Sequence, residues 1–186
     1  MNIILPPIFK TNRLILKPIN LDDIPSYEKH FIDYDVIQFL SKKVPWPYPK
    51  NGGKEYIEKV ILPIQGKDRW MWGIALKSNP NELIGAVDLW RRGIPENRGF
   101  WLGKIYWKEG IMTEAVIPIN KFAFEELGFE KLIFSNAKGN IASRRIKEKT
   151  GAKFIKIRSA EFVNPKFTEA EDWELTKESW ENWKQT

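Results

Sequence analysis

The sequence contains no cysteine and a single histidine, His30. The first absence excludes a disulfide-stapled scaffold, a thiolate nucleophile and cysteine-ligated zinc or iron–sulfur. The second excludes a multi-histidine metal site and gives a Ser-His-Asp triad no support. No bound metal is expected. Nowhere does the chain approach the ~18 consecutive apolar residues of a membrane span. The opening Met1-Asn-Ile-Ile-Leu-Pro-Pro lacks the basic start of a secretory signal. A cytoplasmic protein with no membrane partner is the expectation. Internal repeats, linkers and low-complexity stretches are also missing.

What is present is ordinary globular material: 186 residues, 42% hydrophobic and 29% charged. A chain of this length buries roughly 70% of its unfolded surface, which suffices for one well-formed core. One domain over residues 1–186, with its core in about 11–180, is expected. Thirty Lys and Arg against 24 Asp and Glu leave a net charge of +6. The basic residues are spread out, with only short pairs such as Lys42-Lys43, Arg91-Arg92 and Arg144-Arg145. Nucleic acid is therefore not the expected partner. The nine tryptophans are more distinctive, and most suit strand positions facing a core.

Residues 11–17 read as a strand, and 24–39 carry a helical pattern with Pro25 in its first turn. Residues 44–53, with three prolines and two glycines, form a loop. A short helix over 54–62 follows, then strands over 69–76, 82–90 and 100–105. Helices are expected over 114–127, closed by Gly128, and over 141–150, opened by Asn140. Strands over 131–135, 154–162 and 172–176 complete an α+β fold with a mixed sheet. Pro118, inside the long helix, should kink it.

Two segments have the pattern of a ligand site. In Trp101-Leu-Gly-Lys-Ile-Tyr-Trp-Lys-Glu-Gly-Ile-Met-Thr, a strand ends and a glycine loop feeds a helix. Unpaired N–H groups and the helix dipole then suit a phosphate or pyrophosphate, and Lys108 adds charge. In Asn140-Ile-Ala-Ser-Arg-Arg-Ile-Lys-Glu-Lys, Asn140 either caps a helix or reaches a ligand, and Ser143 faces back toward the strand ends. Arg144, Arg145, Lys147 and Lys149 make that helix basic. His30 shows no partner in the sequence and reads as a surface or half-buried helix residue.

Together these segments resemble the GNAT superfamily of acyl-CoA-dependent N-acetyltransferases, and within it the RimJ/RimL-like branch that acetylates ribosomal-protein N-termini. Thr11-Asn-Arg-Leu-Ile-Leu-Lys-Pro resembles the opening strand, and Pro45-Trp-Pro-Tyr-Pro the proline–aromatic loop. Gly99-Phe-Trp-Leu-Gly through Gly110-Ile-Met-Thr-Glu-Ala resembles the cofactor strand and pyrophosphate loop. Asn140-Ile-Ala-Ser with Glu148-Lys-Thr-Gly-Ala resembles the second cofactor motif, and Trp173 to Trp180 the C-terminal strand.

The resemblance implies a splayed sheet with acetyl-CoA lying in its V. Pantetheine would pair with Phe100, Trp101, Leu102 and Gly103. The pyrophosphate would rest on Trp107, Lys108, Glu109, Gly110, Ile111, Met112 and Thr113, with Asn140, Ser143 and Arg145 completing the cofactor site. Met112 stands where a small residue is usual and should crowd the phosphate. An amine would attack the thioester while a base takes its proton and an acid protonates the thiolate. The tyrosine that many members use as acid falls on Lys147, which leaves Ser143, beside Asn140, as thiolate partner. The usual glutamate aligns with Asn97; Glu96 and Asp88 are the candidate bases. Trp46, Tyr48 and Trp90 would line the groove for a small-molecule or protein N-terminal amine. The protein would be a monomer or homodimer. The alternative is a non-catalytic GNAT-fold module that binds CoA or a partner protein.

Overall fold

The computed structural model describes residues 3–91 and 96–183; Arg92 of the Arg91-Arg92 pair lies outside them. Strands β1 (Phe9–Lys10), β2 (Leu14–Pro18), β3 (Arg69–Leu76), β4 (Gly85–Trp90) and β5 (Arg98–Leu102) form one antiparallel sheet in sequence order. Strands β6 (Lys131–Ala137), β7 (Lys153–Ser159) and β8 (Glu169–Thr176) form a second, in the order β6-β8-β7. The expected mixed, splayed sheet is thus realised as two antiparallel sheets that touch at one end.

Asn97 is the rivet between them. Its N–H donates to the Ile133 carbonyl at 2.7 Å, and its Oδ1 accepts the Ile133 N–H at 3.0 Å. Its Nδ2 also donates to the Trp90 carbonyl at 3.2 Å. Above this point no ladder joins β5 to β6 among the described residues, so the sheets part.

Side-chain alternation along the first sheet builds a core on each face. Trp70, Trp72, Val87, Leu89 and Leu102 pack with helix α4 (Ile111–Glu125) and with Leu132, Phe134 and Trp173 of the second sheet. Met71, Ala86 and Trp101 pack on the other face with Tyr27 and Phe31 of α1 (Ile24–Phe31) and with Ile57 and Ile61.

Several boundaries differ from the sequence expectation. The helix over 24–39 breaks: α1 ends at Phe31, and α2 (Tyr34–Ile37) restarts where the Asp33 side chain caps the Asp35 N–H. The helix over 54–62 becomes α3 (Gly52–Glu55) followed by a π-helical stretch, Tyr56–Ile61. The strand over 11–17 starts only at Leu14, as β2, and the short β1 precedes it, because Thr11 closes the turn between them by accepting the Leu14 N–H on its Oγ1. Helix α4 begins at Ile111 and continues through Pro118. Helix α5 (Ile141–Lys149) is close to expectation. The closing strand ends at Thr176 as expected, and the rest of the Trp173–Trp180 segment is not strand. There the Thr176 hydroxyl accepts the Ser179 N–H and opens α6 (Lys177–Trp183), which buries Trp180. No helix among the described residues is long and apolar enough to cross a membrane.

Candidate active site

The edge of β5 that faces the gap between the sheets is the first component. Trp90 N–H donates to the Asn97 carbonyl and Gly103 N–H to the Ile84 carbonyl, both at 2.8 Å. Backbone groups alternate along a strand, so the Asn97 carbonyl, Gly99, Trp101 and the Gly103 N–H are committed to the β4 side. Phe100 and Leu102 instead turn theirs toward the gap. The Leu102 carbonyl is already taken by the Trp107 indole N–H at 2.7 Å. The free edge is therefore the Phe100 N–H and C=O and the Leu102 N–H.

This corrects two of the four strand residues expected to hold pantetheine. Trp101 sends its side chain into the opposite core, edge-on to Tyr27 and Phe31. Gly103 is glycine for packing: a Cβ there would lie 3.1 Å from His30 Nδ1 and 3.2 Å from the Ile84 carbonyl. His30 is itself corrected. It is buried, with Nε2 2.8 Å from Glu82 and its ring edge-on to Tyr106.

Beyond β5 the chain makes a 3-10 turn, Lys104–Tyr106, and an exposed loop that enters α4. Lys108 (φ 67°) and Gly110 (φ 74°) both adopt the left-handed conformation. Such a loop aims successive N–H groups outward, and the first turn of α4 adds N–H groups with no intrahelical partner. A Cβ at Gly110 would meet only Arg13 Nη2, at 3.7 Å. Trp107 does not belong to this cradle, since its N–H closes the turn onto Lys104 O at 3.2 Å. Met112 does not crowd it either: its side chain is buried in the core beneath α4.

Sequence reasoning missed Arg13. Its Nε donates to Glu114 at 2.7 Å, its Nη1 to the Glu109 carbonyl at 2.9 Å, and its backbone N–H to Glu114 at 2.8 Å. Thr11 Oγ1 also donates to Glu114, at 2.5 Å. Burial would raise the Glu114 carboxyl, but these hydrogen bonds and the Arg13 charge hold it below the ordinary carboxylate range. The Thr-Asn-Arg opening therefore braces the loop from about a hundred residues away, and keeps a half-exposed cation beside Gly110. The signal lay in the spacing of Thr11 and Arg13 against Glu114 in the first helical turn, which only the fold brings together.

The floor of the gap is polar and buried. Asn140 caps α5, its Oδ1 accepting the Ser143 N–H at 3.1 Å, which settles the choice between cap and ligand contact for that oxygen. Ser143 is buried and its Oγ lies 2.8 Å from Lys147 Nζ. Lys147 is not on the solvated face of the basic helix; it is 1% exposed, with Nζ over the Phe100 ring at 5.6 Å. Burial, reinforced by Arg98, lowers its pKa to about 7, while Glu96 and Glu171 pull the other way. Arg98 is buried as well, with Nη1 donating to Asn120 Oδ1 at 2.5 Å and its guanidinium 3.9 Å above the Phe134 ring. Its Nε and Nη2 have no hydrogen-bond partner, and burial lowers its pKa to about 9. Glu96 accepts from Ser135 Oγ at 2.8 Å. Arg145 points to solvent on the outer face of α5.

The opposite face of the sheet carries the remaining candidates. Arg69 Nε donates to both Asp88 oxygens at 2.9 Å, and Nη2 bonds Asp88 and the Tyr56 hydroxyl. The Arg69 side chain also lies 5.7 Å from the Trp90 ring centre. Asp88 is thus half of a buried ion pair, and its lone pairs are occupied. Tyr48 packs edge-on against Phe31, while Trp46 sits apart, half-exposed and against Tyr34. Tyr48 and Trp90 both lie on this face, Tyr48 against Phe31 and Trp90 beside Arg69, while Trp46 sits apart from them.

Comparison with known proteins agrees with this architecture. The acetyltransferase (GNAT) domain family matches residues 13–153. The chain therefore belongs to the GNAT acetyltransferase family: it is an N-acetyltransferase with acetyl-CoA as donor. A Bacillus subtilis (strain 168) protein named probable N-acetyltransferase YjcK is 26% identical over 154 residues, covering 77% of this chain and 82% of that one. Two solved structures share the fold. One is the RimL ribosomal L7/L12 alpha-N-protein acetyltransferase in complex with coenzyme A, with TM-score 0.76, 15% identity and coverage of 93% and 99%. The other is the spermidine N-acetyltransferase of Vibrio cholerae with CoA and spermine, with TM-score 0.75, 14% identity and coverage of 92% and 100%. The open loop at Lys108–Thr113 and the half-exposed Arg13 cation fit the charge of a CoA pyrophosphate.

Proposed function

We propose that this single-domain protein acetylates a primary amine, a protein N-terminus or a small polyamine-like molecule, in the cytoplasm. The observation that carries this reading is the alignment of three features along the gap between the sheets. These are the exposed Lys108–Thr113 loop, the free edge of Phe100 and Leu102, and the buried Ser143, whose Lys147 neighbour lies over the Phe100 ring. A pyrophosphate on the loop N–H groups beside Arg13 and a pantetheine along Phe100 and Leu102 would bring the thioester to Ser143. The acetyl-CoA supplies an activated acyl group. The chain's residues hold it, exclude water and handle protons. Ser143 donates its hydroxyl hydrogen to the departing thiolate, and Asn140 fixes the turn that carries Ser143. Glu96, at the floor of the gap, takes the amine proton directly or through water. Asp88 serves as the partner of Arg69 on the face that carries Tyr48 and Trp90, rather than as the base.

The amine acceptors of the RimL and spermidine enzymes support an amine substrate here, because a neutral amine is the nucleophile a thioester requires. The inward turn of Met112 leaves the phosphate loop open to a cofactor. The test is incubation with acetyl-CoA and a panel of N-terminal peptides, polyamines and amino sugars, with free thiol as readout. Acceptor-dependent thiol release is expected. No release with any amine, despite CoA binding, would restore the non-catalytic module.

A further inference from the structure

Lys147 of α5, which falls where the family resemblance places a tyrosine, is a buried lysine that the reaction as assigned does not use. Three features of Lys147 stand out. It is 1% exposed, so its ammonium has no water shell. Its nearest partner is the hydroxyl of Ser143, one helical turn away at 2.8 Å, with the Ser143 carbonyl next at 3.5 Å. Finally, it shares its chamber with a second buried cation, Arg98. A lysine serving only packing would extend its head to solvent or meet a carboxylate at contact distance. Lys147 does neither, and its head is held against the hydroxyl assigned to the leaving thiolate.

We propose that Lys147 is the proton source behind Ser143, resupplying from its Nζ the hydrogen that the serine hydroxyl hands to the departing thiolate. The proposal rests on the assignment of Ser143 made above. The amine nitrogen forms the new C–N bond, and the C–S bond breaks with its electron pair going to sulfur. Sulfur takes the Ser143 proton as Ser143 takes one from the Lys147 ammonium. Glu96, which takes the proton shed by the acceptor amine and lies close enough to act on the Lys147 charge, returns that proton to the neutral Lys147 before the next turnover, so one amide and one thiol are the net products.

The surroundings set the proton affinity for this task. An isolated lysine near its ordinary pKa of ~10.4 releases a proton reluctantly at neutral pH. Burial and the Arg98 guanidinium from β5 bring Lys147 near neutrality, while Glu96 before β5 and Glu171 of β8 stop it falling further. Asn120 of α4 holds Arg98 in place. An acid poised near the working pH is the most effective kind. The Phe100 ring covers the Lys147 head, and the Phe134 ring covers the Arg98 guanidinium beside it.

Lys147→Gln, assayed on the intact protein with acetyl-CoA and the best acceptor, tests the proposal. Glutamine still donates a hydrogen bond to Ser143 but cannot surrender a proton. The expected result is kcat lower by about 10²-fold, at the low end of general-acid effects, with KM for acetyl-CoA within about threefold. The alkaline fall of kcat above neutral pH should vanish in the variant. Ser143→Ala should give a similar loss, and the double variant little more, since the two act in one chain. If Lys147→Gln does not fold, Lys147→Met, which removes the buried charge entirely, gives the same kcat reading. Unchanged kcat and pH profile in Lys147→Gln, with normal turnover and CoA-dependent thermal stabilisation of the parent protein, would overturn the relay alone. A stable acetyl group on Ser143 or Lys147, found by mass spectrometry after mixing with acetyl-CoA, would overturn it in favour of a covalent route. Absence of both CoA stabilisation and turnover in the parent protein would overturn the site assignment, and the relay with it.

Discussion

Two arginines lie on opposite faces of the same sheet, Arg98 buried and Arg69 mostly so, and they are treated in opposite ways. Arg69 on β3 has a bidentate carboxylate partner, a tyrosine hydroxyl and an aromatic neighbour in Trp90. Burial alone would depress its pKa, but Asp88 overrides that and raises it. Arg98 on β5 has one amide oxygen, a phenyl face and two nitrogens without partners. A second buried cation, Lys147, feels its charge, and burial brings the Arg98 pKa down to about 9. A closed ion pair stiffens a fold and does little else. Unpaired buried cations are costly, and in this protein they lie on the face where the gap opens. The face that spends its charges on structure carries Tyr48 and Trp90, and the face that leaves them unspent carries Ser143.

The largest expected effect comes from opening the closed pair. Asp88→Ala leaves Arg69 buried without its carboxylate, and removing one partner of a buried pair costs about 3–5 kcal/mol. Chemical denaturation should show a loss of that order with an unchanged m-value. The double change Asp88→Leu with Arg69→Met should recover most of it, because no uncompensated charge remains. A loss below about 1 kcal/mol in the single variant would mean that Arg69 is satisfied without Asp88.

Next is the loop. Gly110 sits at φ 74°, and a β-branched residue there costs roughly 1–2 kcal/mol in the left-handed region. Gly110→Val should also re-aim the N–H groups that receive the pyrophosphate. We expect CoA affinity to fall by at least about tenfold, or 1.4 kcal/mol. In the parent protein, CoA at 100 times its Kd should add about 2.7 kcal/mol of stability. A folded Gly110→Val protein with unaltered CoA stabilisation would place the phosphate elsewhere.

Much of this was legible in the chain, and the failures share a cause. Local signals were reliable: the Gly110 loop, the Asn140 cap and Gly128 after α4 lie where turn and cap chemistry demands. Signals that depend on a distant partner were misread. Arg13 looked like part of a strand because Glu114 is far away in sequence. Lys147 looked solvated because helical periodicity cannot report that Arg98 and Phe100 close over it. Asp88 looked like a free base because Arg69 is on another strand. The break at Asp33 was visible as an N-cap type, yet the apolar pattern on both sides outvoted it.

The pH dependence of stability distinguishes the two faces without any assay of activity. Lys147 titrates near 7 in the folded protein and near 10.5 when unfolded. Between those values the unfolded chain binds more protons, so stability rises with pH across about 7 to 10. One proton's difference gives at most ~1.4 kcal/mol per pH unit. Melting temperature should climb over this range in the parent protein and climb less in Lys147→Met. Equal slopes in the two proteins would mean that Lys147 is not held near neutrality.

The smallest expected effect belongs to Arg98→Met. The change removes a stacked cation over Phe134, worth about 0.5–2 kcal/mol. It also strips Asn120 Oδ1 of its donor, at roughly 1–3 kcal/mol if no water replaces it. Against these stands relief of a buried charge with two unpartnered nitrogens. Replacing buried ionic groups by apolar residues of similar volume is often neutral or stabilising by 1–4 kcal/mol. These contributions nearly cancel, so stability within about 1 kcal/mol of the parent protein is expected, in contrast to Asp88→Ala. Without Arg98, Lys147 should also titrate higher, and the rise of stability with pH should begin above neutrality. A destabilisation above about 3 kcal/mol would show that Arg98 has a partner as effective as Asp88. The two faces would then differ in wiring but not in kind.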